Sequence, residues 1–224
     1  MKIIRALIYK NYGFTLVELS IVLVIVGLLL SAFLVPLRVQ LELRNSSETR
    51  ASLNEIRDAL VGHALSHTAA DGRPFLPCPD TDGDGLENRN APNICTQLEG
   101  DLPFADLGVI GTDNWNNRYR YRVTQAYANA LTGFTLLTQG DITVQAAAGG
   151  NVIGTFIPAI IISLGENGAT LPAIGADQQA NLDGNNIFVS KEMSNSQVNP
   201  FDDLVIWLSP NTLMSRMVAA GQLP

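Results

Sequence analysis

The 224-residue sequence predicts an α+β fold: a long N-terminal α-helix, its first half transmembrane, packed on a globular head with an antiparallel β-sheet and a short C-terminal helix. Three observations predict it. Phe14 to Val35 is a run of 22 residues with a single charge, Glu18. At about 1.5 Å of rise per residue, such a helix crosses a hydrocarbon core of about 30 Å. Beyond it, Leu53, Ile56, Leu60, Ala64 and Leu65 recur at helical spacing, with Glu55, Arg57 and Asp58 on other faces. From Gly100 onward, short apolar or alternating segments are separated by turn-rich stretches, the pattern of strands.

The residues ahead of the apolar run set its direction. Lys2, Arg5 and Lys10 carry positive charge with no acidic neighbour, which keeps the N-terminus cytoplasmic and puts everything after Val35 on the far side. A secretory signal peptide has its small-residue cleavage site after the apolar core. Here the only processing-like site, Gly13, comes before it, so cutting there removes the basic leader and leaves the helix as a new N-terminus. Glu18 sits in the first turns of that helix. An acid inside a membrane segment costs a few kcal/mol unless partnered, which marks it as functional. The amine of a freshly exposed Phe14, on the same chain or a neighbour, is the partner at hand.

Lys10-Asn11-Tyr12-Gly13-Phe14-Thr15-Leu16-Val17-Glu18-Leu19 resembles the N-terminal signal of type IV pilins and type II secretion pseudopilins. The resemblance implies cleavage between Gly13 and Phe14 by a prepilin peptidase, N-methylation of Phe14, and a role for Glu18 in docking the subunit into a helical fibre. It divides the chain into a leader (1–13), a long helix (14–70, transmembrane over 14–35) and a periplasmic head (71–224) in a pilin-like fold. The function implied is that of a structural subunit, a minor pilin or pseudopilin, held in the inner membrane before assembly and in a fibre or at the cell surface afterwards. Its partners would be other pilin or pseudopilin subunits, the peptidase, an inner-membrane assembly platform and the lipid membrane. The alternatives are a tip adhesin or other binding pilin, and an anchored periplasmic protein that does not assemble.

The net charge of −7 becomes −10 in the 211 residues left after loss of the leader. That acidity speaks against nucleic-acid binding, which relies on basic patches. The chain has no internal repeat and no low-complexity tract. Cys78 and Cys95 both fall on the oxidising side of the membrane, where a disulfide is expected.

Pro36 removes a helix hydrogen bond and predicts a kink, after which the helix continues to about Ala70 and ends at Asp71-Gly72-Arg73-Pro74. His63 and His67 have a spacing that can hold a metal, but no Glu or Cys joins them nearby, and a solvated or partly buried helix face is the plainer reading. In Cys78-Pro79-Asp80-Thr81-Asp82-Gly83-Asp84-Gly85-Leu86-Glu87-Asn88, three alternating aspartates followed by Gly85 begin as calcium loops do. Asp80, Asp82, Asp84 and Asn88 are the candidate ligands. The bidentate Glu of an EF-hand is missing, since its position is Ala91, and an exposed acidic turn is the alternative. No cofactor is required; calcium is the one considered. A Cys78–Cys95 bridge would close a ring around this loop.

In the head, Arg118 to Val123 alternates strictly, with its three arginines on one face, read as solvated. Gly133–Thr138 and Ile142–Gln145 read as strands joined through Gln139-Gly140-Asp141. Thr155–Ser163 reads as a central strand with Pro158 at its start or at a bulge, and Asn185–Ser190 and Leu204–Leu208 complete the set. Ala169–Asn186 reads as an exposed loop, and Ser209-Pro210 as the cap of a helix running to about Ala219. Asp113-Asn114-Trp115-Asn116-Asn117-Arg118-Tyr119-Arg120-Tyr121 is similar to the Asp-x-Trp-Gly-Asn-x-Tyr-x-Tyr stretch of the major pseudopilin of type II secretion systems. Asn116 replaces its glycine, and Asn tolerates a left-handed backbone. Ser163-Leu164-Gly165-Glu166-Asn167-Gly168 is similar to the Ser-x-Gly-x-Asp-Gly of the same proteins. In that family calcium binds after this motif, and Asn167 in place of Asp departs from the pattern. No nucleophile elbow, P-loop or dinucleotide fingerprint occurs, so no enzymatic activity is expected.

Overall fold

A computed structural model describes residues 13–91, 93–168, 175–194 and 196–224, without the side chains of 31–37. The leader charges Lys2, Arg5 and Lys10 and part of the loop expected over 169–186 lie outside those residues. The protein is α+β, with an N-terminal helix and a β-sheet head. It divides into two compact units, one ending at Arg44 and the other spanning Asn45–Pro224.

Helix α1 runs Leu16–Ser66 and passes through position 36 unbroken. Among the described residues, no helix is long and apolar enough to cross a membrane. The apolar run of the sequence extends past Leu30 into positions whose side chains are not described. α1 stops short of the expected Ala70 because the backbone beyond it finds other partners. Thr68 bridges Pro74, and the Ala69 N–H donates to the Arg73 carbonyl at 2.7 Å. Asp71-Gly72 form the intervening turn, with Gly72 at φ 80°.

The head holds two main sheets. The first has the order β3 (Glu99–Asp101), β4 (Arg120–Val123), β7 (Ala159–Ser163), β9 (Leu204–Leu208), antiparallel throughout. On one of its faces Tyr121, Val123, Ile161, Leu204 and Leu208 pack with Leu53, Ile56, Leu60 and Ala64 of α1 and with Leu213 and Met217 of α4 (Pro210–Ala219). The stripe read from the sequence is therefore core. On the other face, Ile160 and Ile162 meet Ile142, Val144, Ile157 and Phe188 of the second sheet. Every residue of β7 is buried, as expected for a strand covered on both sides.

The second sheet has the order β6 (Val152–Ile157), β5 (Ile142–Gln145), β8 (Ile187–Val189). Its β5–β8 pair is parallel, which corrects the expectation of a purely antiparallel head. A two-stranded ribbon, β1 (Arg89–Asn90) with β2 (Ile94–Cys95), and the short helices α2 (Phe104–Leu107) and α3 (Ala176–Ala180) complete the described elements, with one 3₁₀ turn at Gln125–Tyr127.

Four local readings are corrected. Thr155–Ser163 is not one strand: Pro158 separates β6 from β7, which belong to different sheets, and Phe156 takes a left-handed φ of 56° at the crossing. Gly133–Thr138 forms turns, because the Thr135 N–H donates to Thr138 Oγ1 at 2.9 Å and the Thr138 N–H to the Thr135 carbonyl at 3.1 Å. Local bonding of this kind competes with a ladder. The arginine face is only partly solvated: Arg120 and Arg122 converge on Glu99 of the neighbouring strand at 2.7 and 3.6 Å, whereas Arg118 stays exposed while pairing with Asp101 at 2.9 Å. Within the expected loop 169–186, α3 has Asp177 and Gln178 buried rather than exposed.

Candidate functional site

The N-terminal site is built by four residues ahead of and within the first turn of α1. Gly13 and Phe14 lie before the helix and are exposed. Thr15 stands at the N-cap, and Glu18 falls at the third helical position. The Glu18 N–H donates to Thr15 Oγ1 at 3.2 Å, and Glu18 Oε2 accepts from the Thr15 N–H and hydroxyl, both at 2.9 Å. This reciprocal pair is a capping box, which satisfies otherwise orphaned helix-start donors. The Thr-x-x-Glu spacing signals it in the sequence, although Glu18 is first noticed there only as a charge in an apolar run. The carboxylate is thus held at the N–H of the peptide bond that joins Phe14 to Thr15, one peptide bond along the chain from the Gly13–Phe14 bond.

That arrangement falls inside a known sequence pattern. Residues 8–34 match the family model of the prokaryotic N-terminal methylation motif. The motif is characteristic of type IV pilins and pseudopilins, and it points to a structural rather than a catalytic protein. No curated protein and no solved structure matches the chain. The matched residues take in the start of α1 and the positions just ahead of it and leave the head unaddressed.

In the head, Cys78 and Cys95 form a disulfide with Cα atoms 5.2 Å apart, enclosing the acidic loop. Asp80 is buried, and its carboxylate accepts from the N–H groups of Gly83 at 2.6 Å, Gly85 at 2.7 Å and Asp82 at 3.1 Å. Burial alone would raise the Asp80 carboxyl; the three backbone donors outweigh it and hold the group below the usual carboxylate range. Gly83 and Gly85 adopt φ of 86° and 87°, which lets the backbone fold around that carboxylate. Carboxylate oxygens of Asp80, Asp82 and Asp84 come within 4.8 Å of one another, an oxygen set that suits a hard cation. Asn88 is not aimed with them: its Oδ1 accepts from the Thr81 N–H at 2.6 Å, and its amide reaches Asp82 Oδ2 at 3.4 Å. Behind the loop, Glu87 pairs with Arg89 at 2.8 Å and accepts from the Cys78 N–H at 2.8 Å, an anchor the sequence reading missed.

The two stretches similar to the major pseudopilin meet in space. Asp113 Oδ2 accepts from the Ser163 hydroxyl at 2.6 Å, and the Asn117 amide donates to the Gly165 carbonyl at 2.6 Å. Asn116 adopts φ 67°, the left-handed turn expected at that position. His63 and His67 stack with centroids 4.1 Å apart. Desolvation, followed by the charge of His67, pushes His63 down to about 4. Among the described residues, the one group of three or more His, Cys, Asp or Glu placed to hold a metal is the Asp80 cluster.

Proposed function

We propose that the protein is a structural subunit, a minor pilin or pseudopilin, of a type IV pilus or type II secretion fibre. The methylation motif at residues 8–34 carries this reading. A prepilin peptidase cuts between Gly13 and Phe14, Phe14 is N-methylated, and the first part of α1 spans the inner membrane with the head in the periplasm until assembly. The exposed apolar side chains from Leu16 to Leu30 support a role for this segment in lipid and then in a bundle of like helices. The bond from the Thr15 N–H to Glu18 supports a role for this carboxylate in receiving a freed Phe14 amine. Calcium at Asp80, Asp82 and Asp84 is part of the proposal, with Asn88 joining only if it turns from Thr81.

The deciding experiment is the intact mass of membrane-extracted protein from cells with a competent peptidase. A chain beginning at Phe14 with one added methyl group is the expected result. A chain beginning at Met1 would overturn the processing step. Glu18→Ala is expected to be excluded from fibres while its head unfolds as the parent does. Its normal incorporation would remove Glu18 from assembly.

A further inference from the structure

β9 lies at the end of the first sheet, and its second edge carries no strand among the described residues. No backbone hydrogen bond from outside the sheet reaches Leu204–Leu208 among those residues. The strand reads Leu-Val-Ile-Trp-Leu, without the charge or proline that commonly guards an open edge. Two cavities of about 440 and 470 Å³ run along it, sharing Arg57 and Trp207 in their walls. The first is bounded by Arg50 and Arg57 of α1, the second by Arg57 and by Arg216 of α4.

The charge distribution around this groove is unlike that of the rest of the head. Seven of the nine Arg and Lys residues from Asn45 onward have a carboxylate oxygen within 3.6 Å. The two that have none, among the described residues, are Arg50 and Arg216. Both are exposed, and both line the groove. Its one acidic wall residue, Asp58, stands 3.5 Å from Arg57. In a chain of net charge −7, unmatched guanidinium groups are thus concentrated beside an open, uncharged strand edge.

We propose that this groove receives an extended, carboxylate-bearing peptide segment of a partner polypeptide. The segment adds a strand to β9 through main-chain hydrogen bonds, packs an apolar side chain on Trp207, and places carboxylates against Arg50 and Arg216. Backbone pairing of this kind supplies affinity, and the flanking charges supply selection and direction. The proposal rests on the head alone and is independent of how the N-terminus is processed.

The test uses the full-length chain in detergent micelles and three labelled probe peptides: Val-Glu-Val-Glu-Val-Glu, the same peptide with Lys for Glu, and the acidic peptide with Pro for its central Val. The acidic peptide is expected to bind at least tenfold more tightly than the Lys and Pro versions and to slow amide exchange within 204–208. Arg50→Glu with Arg216→Glu should invert the preference between Glu and Lys peptides, and the milder Arg→Gln pair should abolish it. Equal binding of the Glu and Lys peptides, or binding without protection of β9, overturns the proposal. So does protection of β9 that grows with protein concentration alone, which would assign the groove to a second copy. Self-association of the Arg→Gln pair, with no peptide bound by the parent, would make the arginines guards of the edge and equally overturn it.

Discussion

Leu23 and Leu60 are the same residue in the same helix, yet Leu23 is 64% exposed and Leu60 is 0% exposed. The first belongs to the unit ending at Arg44, where α1 is uncharged from Leu19 to Leu30 and its large apolar side chains there are exposed. The second belongs to the head, where α1 narrows to one apolar stripe and the opposite positions turn polar. A helix that is apolar all round must find its cover in lipid or in other subunits, whereas a striped helix finds it in its own domain. The difference separates a segment whose described apolar side chains lie exposed from one whose apolar stripe is covered within its own domain.

The largest effect that sharpens this contrast is expected from Leu60→Ala, which opens a cavity in the head core and should cost about 2–5 kcal/mol. Leu23→Ala should leave the head's urea midpoint where it was. Equal effects of the two would break the comparison. Reducing Cys78–Cys95, 17 residues apart in sequence, should lower head stability by about 3 kcal/mol from chain-entropy reasoning. Urea unfolding with and without reductant checks this, and no signal from the N-terminal unit should change.

A smaller effect concerns pH. Burial, outweighing a hydrogen bond from Asn181, pushes the Asp203 carboxyl from 3.8 up to about 7, with Asp202 adding negative charge nearby. Folding therefore favours the protonated acid. Its contribution is fully present below about pH 4 and is lost as pH rises through 7. His63 opposes it, because a value pushed down to about 4 loses stability as pH falls from 6.5. Comparison of Asp203→Asn with the parent isolates the acid: the variant should gain in urea midpoint at pH 8 relative to pH 5. A constant difference across that range would exclude the buried charge as its cause. The smallest expected shift is from calcium, which should raise the thermal midpoint of the parent but not of Asp82→Ala/Asp84→Ala.

Several features were legible because they depend on neighbours in sequence. The methylation motif, the stripe from Leu53 to Ala64, the left-handed Asn116 and the end of the chain are local patterns, and β9 and α4 fall where those patterns put them. The calcium-like aspartates converge because they alternate around two glycines. The capping box was equally legible but overshadowed by the cost of a charge in an apolar run.

By itself, then, the sequence determined the periodicities, the turn chemistry, the processing motif and the two cysteines available to pair, all set by spacing within a few residues. Only the tertiary structure decided that Pro158 divides two sheets, that β5 takes β8 in parallel, that Arg120 and Arg122 turn to Glu99, and that Ser163 reaches Asp113. Those pairings join residues far apart in the chain. Each is selected by which buried donors and acceptors remain to be satisfied once the core has closed, and no local pattern encodes that competition.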